Sequence, residues 1–320
     1  MNIVSLFSGA GGMDLGFIKA GHKIIWANDT YAKAVETYKD NIGNHIVYGD
    51  IREISTKDIP NCDMVIGGFP CQGFSVANIN RTEQDERNKL YLEFLRIIRE
   101  KQPLYFVAEN VKGILSLGKG KVAEMIRNDF KSAGYNVEYK LLNAADFGVP
   151  QLRERVIFIG IREDIKEPIC FPEPTHSDPK KATDFQKPWV TIGEALAHIP
   201  EPEDAPEIPN HQYTKYKLRF NGYLGHREID PNKPSPTITA RGDDKGGVVI
   251  IHHPNNHRRL SVREAATIQT FPMNFVFSGS KTDGYRQIGN AVPPLFAYHI
   301  AKMFPLEAKK KSLSLAGRLG

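Results

Sequence analysis

The sequence predicts an α/β protein, a mostly parallel sheet with helices on both faces, joined to a second, smaller and irregular domain. Three observations carry this. Short apolar runs alternate with helical patterns through the first half of the chain. A glycine-rich turn, Phe7-Ser8-Gly9-Ala10-Gly11-Gly12, separates the first apolar run from the first helical stretch. From Pro168 onward prolines crowd in (Pro172, Pro174, Pro179, Pro188, Pro200, Pro202, Pro206) and helical periodicity fades.

The elements follow in order. Apolar runs predict strands over 3–7, 23–27, 45–48, 64–66, 104–108, 137–142 and 155–161. Helical spacing predicts helices over 13–20, 31–41, 89–101 and 121–133. In the third of these, Leu90, Phe94, Leu95, Ile97 and Ile98 fall close to one helical face. A short helix over 192–198 interrupts the proline-rich region, and 292–304 again reads as helix. The expected organisation is a first domain over 1–168 plus 283–305, a second over 169–282, and a flexible tail over 306–320. No internal repeat is present.

With 320 residues, 41% of them hydrophobic, the chain can bury a sizeable core. Nothing at the start reads as a signal peptide, and no apolar stretch approaches the roughly 20 residues of a membrane span. Cys62, Cys71 and Cys170 make neither a disulfide scaffold nor a paired metal spacing, so a reducing, cytoplasmic setting with free thiols is expected. The net charge of +5 tilts mildly toward polyanions. Its distribution says more: cations interleave with Tyr and Phe over 211–233, and 252–259 reads HHPNNHRR. The lysines at 309–311 read as a frayed end.

Three apolar runs end in groups suited to a nucleoside. The glycines after the first let backbone approach a ligand closely. Asp29 follows the second, placed to accept from ribose hydroxyls, and Asp50-Ile51 follows the third, where a carboxylate and an apolar side chain could flank adenine. A tight turn without a ligand would carry the same glycines. The strict dinucleotide fingerprint fails because Asp14 stands where its last glycine would be, which points to a smaller nucleoside such as S-adenosylmethionine.

The fourth run ends in Gly67-Gly68-Phe69-Pro70-Cys71. Cys71 would stand on the ligand-binding rim, where cationic neighbours raise the thiolate fraction. Read alone, a cysteine after a strand fits a small buried hydrophobe as well as a nucleophile. Glu109 ends the fifth run on the same rim, as a reacting carboxyl or as a surface acid. Gln151, Arg153 and Arg155 alternate into the last run and would share one face, for an anion, a carbonyl oxygen or an ordinary ion pair.

Taken together, FSGAGGMDLGF, GDI, GGFPCQGFS, ENV, QLRER, RRLSVREAATIQTFP and QIGNAVPP, in this order, resemble the cytosine-C5 DNA methyltransferase family over nearly the whole chain outside about 170–235. The resemblance implies a Rossmann-like S-adenosylmethionine-dependent methyltransferase sheet and a variable target-recognition domain. It implies that Cys71 attacks carbon 6 of a flipped-out cytosine, that Glu109 stabilises the charge pushed into the ring, and that Arg153 and Arg155 hold the pyrimidine oxygen and nearby groups. Phe7, Gly9, Ala10, Gly11, Gly12, Asp29, Asp50, Ile51, Pro70, Leu90, Asn290 and Val292 would line the cofactor. Thr30 stands where many members carry an aromatic ring, and Asp29 is shorter than the glutamate often found there. The segment 72–87 would be the loop closing over the base, with Ser75 and Arg87 on phosphates. The compact length implies a monomeric bacterial enzyme acting on double-stranded DNA, beside a restriction endonuclease. A transfer-RNA methyltransferase or a non-catalytic DNA-binding homologue are the alternatives.

Pro236-Thr237-Ile238-Thr239-Ala240-Arg241-Gly242 is similar to the family's recognition stretch, with Thr237 against the DNA backbone. Lys215, Lys217, Arg219, Arg227 and Arg241 are candidates for phosphates or guanine edges, against a solvated basic face. His252, His253 and His257 have no cysteine or carboxylate to complete a metal set and read as loop histidines near DNA. Ser261 with Glu264 three residues on reads as a capping box.

Overall fold

The computed structural model describes residues 1–70, 89–181, 183–215, 218–222, 226–240 and 250–308. Seven strands form one sheet. Its first five, β1 (Asn2–Leu6), β2 (Lys23–Asp29), β3 (Ile46–Tyr48), β4 (Met64–Gly68) and β5 (Tyr105–Val111), run parallel. The last two, β6 (Tyr135–Asn143) and β7 (Glu154–Arg162), complete the order β3-β2-β1-β4-β5-β7-β6. β7 is antiparallel to both neighbours. The reason lies in the chain: residues 144–153 are too few for a crossover, which needs about a dozen residues or more, so the strand must turn back. Reversal puts the start of β7 on the same rim as the ends of β4 and β5, where Val111 pairs with Arg155.

Side-chain alternation sends each strand into two cores. Tyr105 and Val107 of β5, with Ile157, Ile159 and Ile161 of β7, face one; Phe106 and Ala108, with Val156 and Phe158, face the other. The first core is closed by α1 (Gly12–Lys19), α2 (Ala32–Asn41) and α8 (Pro294–Ala301), through Phe17, Tyr38 and Phe296. The second is closed by α3 (Lys89–Lys101) and α4 (Lys121–Lys131), through Phe94, Ile98 and Phe130.

A third core holds the other lobe. It gathers α5 (Ile192–Leu196), α6 (Val262–Ile268) and α7 (Lys281–Asn290) around Ile192, Ile238, Phe271, Phe275 and Ile288. Only one two-residue strand pair, β8 (His176–Ser177) with β9 (Lys187–Pro188), adds sheet among its described residues. All three helices open on a capping box: Thr191/Glu194, Ser261/Glu264 and Ser280/Asp283. Packing places the return to the first core between α7 and α8. Tyr285 and Ile288 belong to the third core, while Val292 and Phe296 belong to the first, so a boundary at 283 would fall inside α7.

Candidate active site

The ends of β1 to β3 make an open hollow. Phe7 and Gly9 both take positive φ (54° each), which turns the chain sharply off β1. Asp29 ties the turn down: its Oδ2 accepts from Gly9 N at 2.8 Å and its Oδ1 from Tyr31 N at 2.8 Å. A Cβ added at Gly9 or Gly49 would meet nothing within 4 Å, so neither glycine is overlaid by described protein atoms. On the closed side the fit is tight. A Cβ at Gly11 would strike Ile42, and one at Gly12 would lie 2.4 Å from Val292 O. Glycine is required at 12 because the C-terminal segment rests directly on the turn, and at 11 because Ile42 and Tyr38 do.

Of the nucleoside residues read from the sequence, Ala10, Ile51 and Val292 are buried, Leu90 is half-buried in α3, and Asn290 is exposed at the end of α7. Burial pushes the Asp29 carboxyl up from its ordinary value, while the Arg52 guanidinium holds Asp50 below its own. Arg52 Nε donates to Asp50 Oδ2 at 2.9 Å. Beneath the turn, Asp14 is buried and accepts from Ser5 Oγ and Tyr38 OH, each at 2.7 Å. Burial pushes it up to about 6. Asp14 thus braces the helix start from inside rather than meeting a ligand.

The end of β4 lies next to that of β1 in the sheet, and the end of β5 next to that of β4. Asn110 Nδ2 donates to Phe69 O at 3.0 Å, holding the backbone beside half-buried Pro70. Cys71, Ser75, Arg87 and the loop 72–87 lie outside the described residues. Glu109 Oε1 stands 2.7 Å from Arg155 Nε, an ion pair with both side chains 12% exposed. Gly68 makes room for it: a Cβ there would approach Glu109 Oε2 to 2.8 Å.

Arg153 and Arg155, expected to share one face, stand in different surroundings. The Arg153 guanidinium is 1% exposed and donates to Ile238 O at 2.9 Å, Gly289 O at 3.0 Å and Ala291 O at 2.9 Å. Its terminal nitrogens are engaged by main chain, leaving Arg155 as the arginine beside Glu109. Burial, then the like charge of Arg155, lowers the Arg153 pKa well below its ordinary value. Gln151 Oε1 accepts from Ile238 N at 3.0 Å, and its Nε2 donates to Gln269 Oε1 at 3.0 Å. Sequence reading assigned a place to Gln151; Asn110 and Gln269 lay within the quoted ENV and RRLSVREAATIQTFP stretches without a role given to either.

In the second lobe, Thr237 Oγ1 donates to Leu152 O at 2.5 Å, which ties the recognition stretch to the rim. Lys215, Arg219 and Arg227 are exposed, and Arg227 Nε donates to Gly222 O. Lys217 and Arg241 lie outside the described residues. His257 is exposed, but His252 is buried and bridged to Arg259, so it is no loop histidine facing a ligand. Arg258 is likewise buried, paired with Glu201 and Glu264. Burial pushes the Cys62 thiol up to about 12, which removes it as a nucleophile. Among the described residues no helix is long and apolar enough to cross a membrane.

A family model described as C-5 cytosine-specific DNA methylase matches residues 1–305. The Type II methyltransferase M.NgoFVII of Neisseria gonorrhoeae is 42% identical over 323 residues, covering 94% of this chain and 85% of its own length. Among solved structures, a prophage-encoded protein of E. coli matches with a TM-score of 0.75 at 28% identity, covering 95% of this chain and 98% of the other. The S. pombe Dnmt2 methyltransferase matches in fold, with a TM-score of 0.70 at 21% identity over 95% of this chain and 98% of its own.

Proposed function

Since the chain belongs to the C-5 cytosine-specific DNA methylase family, we propose that it methylates carbon 5 of a cytosine in a specific duplex DNA sequence, with S-adenosylmethionine as donor and Cys71 as nucleophile. The single observation that carries the residue assignment is the Glu109–Arg155 pair, held on one rim beside the Phe69–Pro70 approach to Cys71.

The residues at the ends of β1 to β3 support this donor. Gly9 and Gly49 are not overlaid by described protein atoms, and two carboxylates, Asp29 and Asp50, edge the hollow. Carboxylates accept from ribose hydroxyls and an adenine amino group. Asn290 and Val292 would close it from the far end of the chain. When bound, S-adenosylmethionine supplies an electrophilic methyl on a sulfonium.

Carbon 5 of cytosine is a poor nucleophile. The Cys71 thiolate adds to carbon 6, and the ring electron pair moves to carbon 5, which becomes able to take the methyl. Glu109 shares a proton with ring nitrogen 3 as negative charge builds there, and Arg155 holds the carboxyl group in place and faces the ring oxygen. A base then removes the carbon-5 proton, the double bond re-forms and Cys71 leaves as thiolate. The target atoms are covered in a stacked duplex, so the base leaves the helix at a cost of a few kcal/mol. Thr237 and the exposed cations Lys215, Arg219 and Arg227, with Lys217, Arg241, Ser75 and Arg87 from the sequence, would engage the DNA. The Type II relatives support a place in a restriction-modification system, protecting DNA from a partner endonuclease.

Expression in a methylation-free host followed by bisulfite sequencing tests activity and names the site together. Cys71→Ala is expected to abolish transfer while retaining DNA binding; substantial methylation by that variant overturns the mechanism. Tritiated methyl transfer to transfer RNA but not to duplex DNA would overturn the substrate.

A further inference from the structure

Arg153 joins two segments that the reaction uses separately. One guanidinium holds the carbonyls on either side of Asn290, at Gly289 and Ala291, and the carbonyl of Ile238, next to Thr237. Gln151 and Gln269 run a second buried path between the same segments. At Gly289 the two segments touch so closely that a Cβ would lie 2.3 Å from Ala240 N. An apolar side chain could close such a join without burying a charge, and burial of an arginine whose terminal nitrogens meet only carbonyls is costly. Its geometry explains the choice of residue: a planar fork reaches carbonyls on different sides from two terminal nitrogens in fixed directions, whereas an ammonium gathers its three donors on one nitrogen.

We propose that Arg153 is a positioning residue that couples occupancy of the nucleoside hollow, through the Gly289–Ala291 turn, to the placement of the recognition stretch at Thr237–Ile238. This rests on the reading of the hollow and of Thr237 given under Proposed function. A ligand that orders Asn290 fixes the two carbonyls beside it, hence the guanidinium, hence Ile238. By reciprocity DNA that seats Thr237 must favour the same ligand by the same factor.

The test is a binding cycle with S-adenosylhomocysteine, which avoids turnover, and a duplex bearing the site found by bisulfite sequencing. In wild type the duplex is expected to tighten S-adenosylhomocysteine by about fivefold or more. In Arg153→Lys that factor is expected to fall to near one, while each ligand's affinity for the free protein changes far less. A second measurement needs no variant: hydrogen exchange of the wild-type protein. S-adenosylhomocysteine alone is expected to slow exchange in peptides covering 235–240, and DNA alone in peptides covering 286–293. No coupling in wild type, full coupling in Arg153→Lys, or unchanged exchange at both segments each overturns the proposal. If S-adenosylhomocysteine does not bind at all, the cofactor reading falls with it. If both ligands bind and methylation proceeds but the coupling survives the substitution, this inference alone falls.

Discussion

Glu109 and Arg155 come from strands that run in opposite directions, yet their side chains meet on one rim, Oε1 2.7 Å from Nε. The guanidinium fixes where the carboxylate points. Glu109→Gln keeps the shape and removes the charge, so methyl transfer should fall by about 10²- to 10⁴-fold under single-turnover conditions. DNA affinity and thermal midpoint should stay near wild type. Retained activity would sink the role given to this carboxylate.

Gly68→Ala tests the same seat from beneath. The new Cβ would stand 2.8 Å from Glu109 Oε2, the far end of a side chain that can move aside. Activity should therefore drop by about tenfold or more while unfolding midpoint changes little, since one displaced hydrogen-bonding group is worth roughly 1–2 kcal/mol in the transition state. Equal losses of stability and activity would contradict the local reading.

Asp14 supplies a pH dependence with a definite sign. In the unfolded chain it ionises near 3.8, and in the fold burial pushes it to about 6. Below 3.8 it is protonated in both states and contributes nothing. Between these values the fold keeps a proton the unfolded chain has released, so its contribution to stability falls as pH rises, by up to roughly 3 kcal/mol above 6. Asp14→Asn removes this titration. Denaturant unfolding of both proteins from pH 4 to 7 should show the difference between them moving in the variant's favour as pH rises; a pH-independent difference would refute it.

Thr270 is a β-branched residue at φ 66°, and its Oγ1 accepts from Leu295 N at 3.0 Å in the first turn of α8. Two effects oppose each other there, backbone strain against a helix-start hydrogen bond. Thr270→Ala removes the bond and keeps a side chain at positive φ. Thr270→Gly removes the bond and the strain together. The glycine variant should be the more stable of the two, by about 1 kcal/mol, in thermal or denaturant unfolding. The reverse order would mean that the φ is not strained.

The seven sheet strands were all legible because each is an apolar run bounded by turn residues, and the cofactor-side strand ends followed from them. The direction of β7 could have been read from the ten residues before it, too few for a crossover. What stayed hidden was non-local. Arg153 and Arg155 alternate in sequence, and alternation alone suggested one shared task. The structure divides them because the partners of Arg153 are carbonyls from residues 85 to 138 positions away, which no local pattern records. α7 was missed because its core-facing residues are few, although Ser280 and Asp283 spell its start. His252 reads as a loop histidine by its polar neighbours and is buried because the chain folds it against Arg259.

Arg153 grips oxygen atoms that every amino acid carries. Residues 238 and 291 can therefore drift in identity without loosening that joint, whereas 289 is held to glycine by the backbone of Ala240. The outer surface of the lobe can then change while the handle by which the lobe is held stays the same.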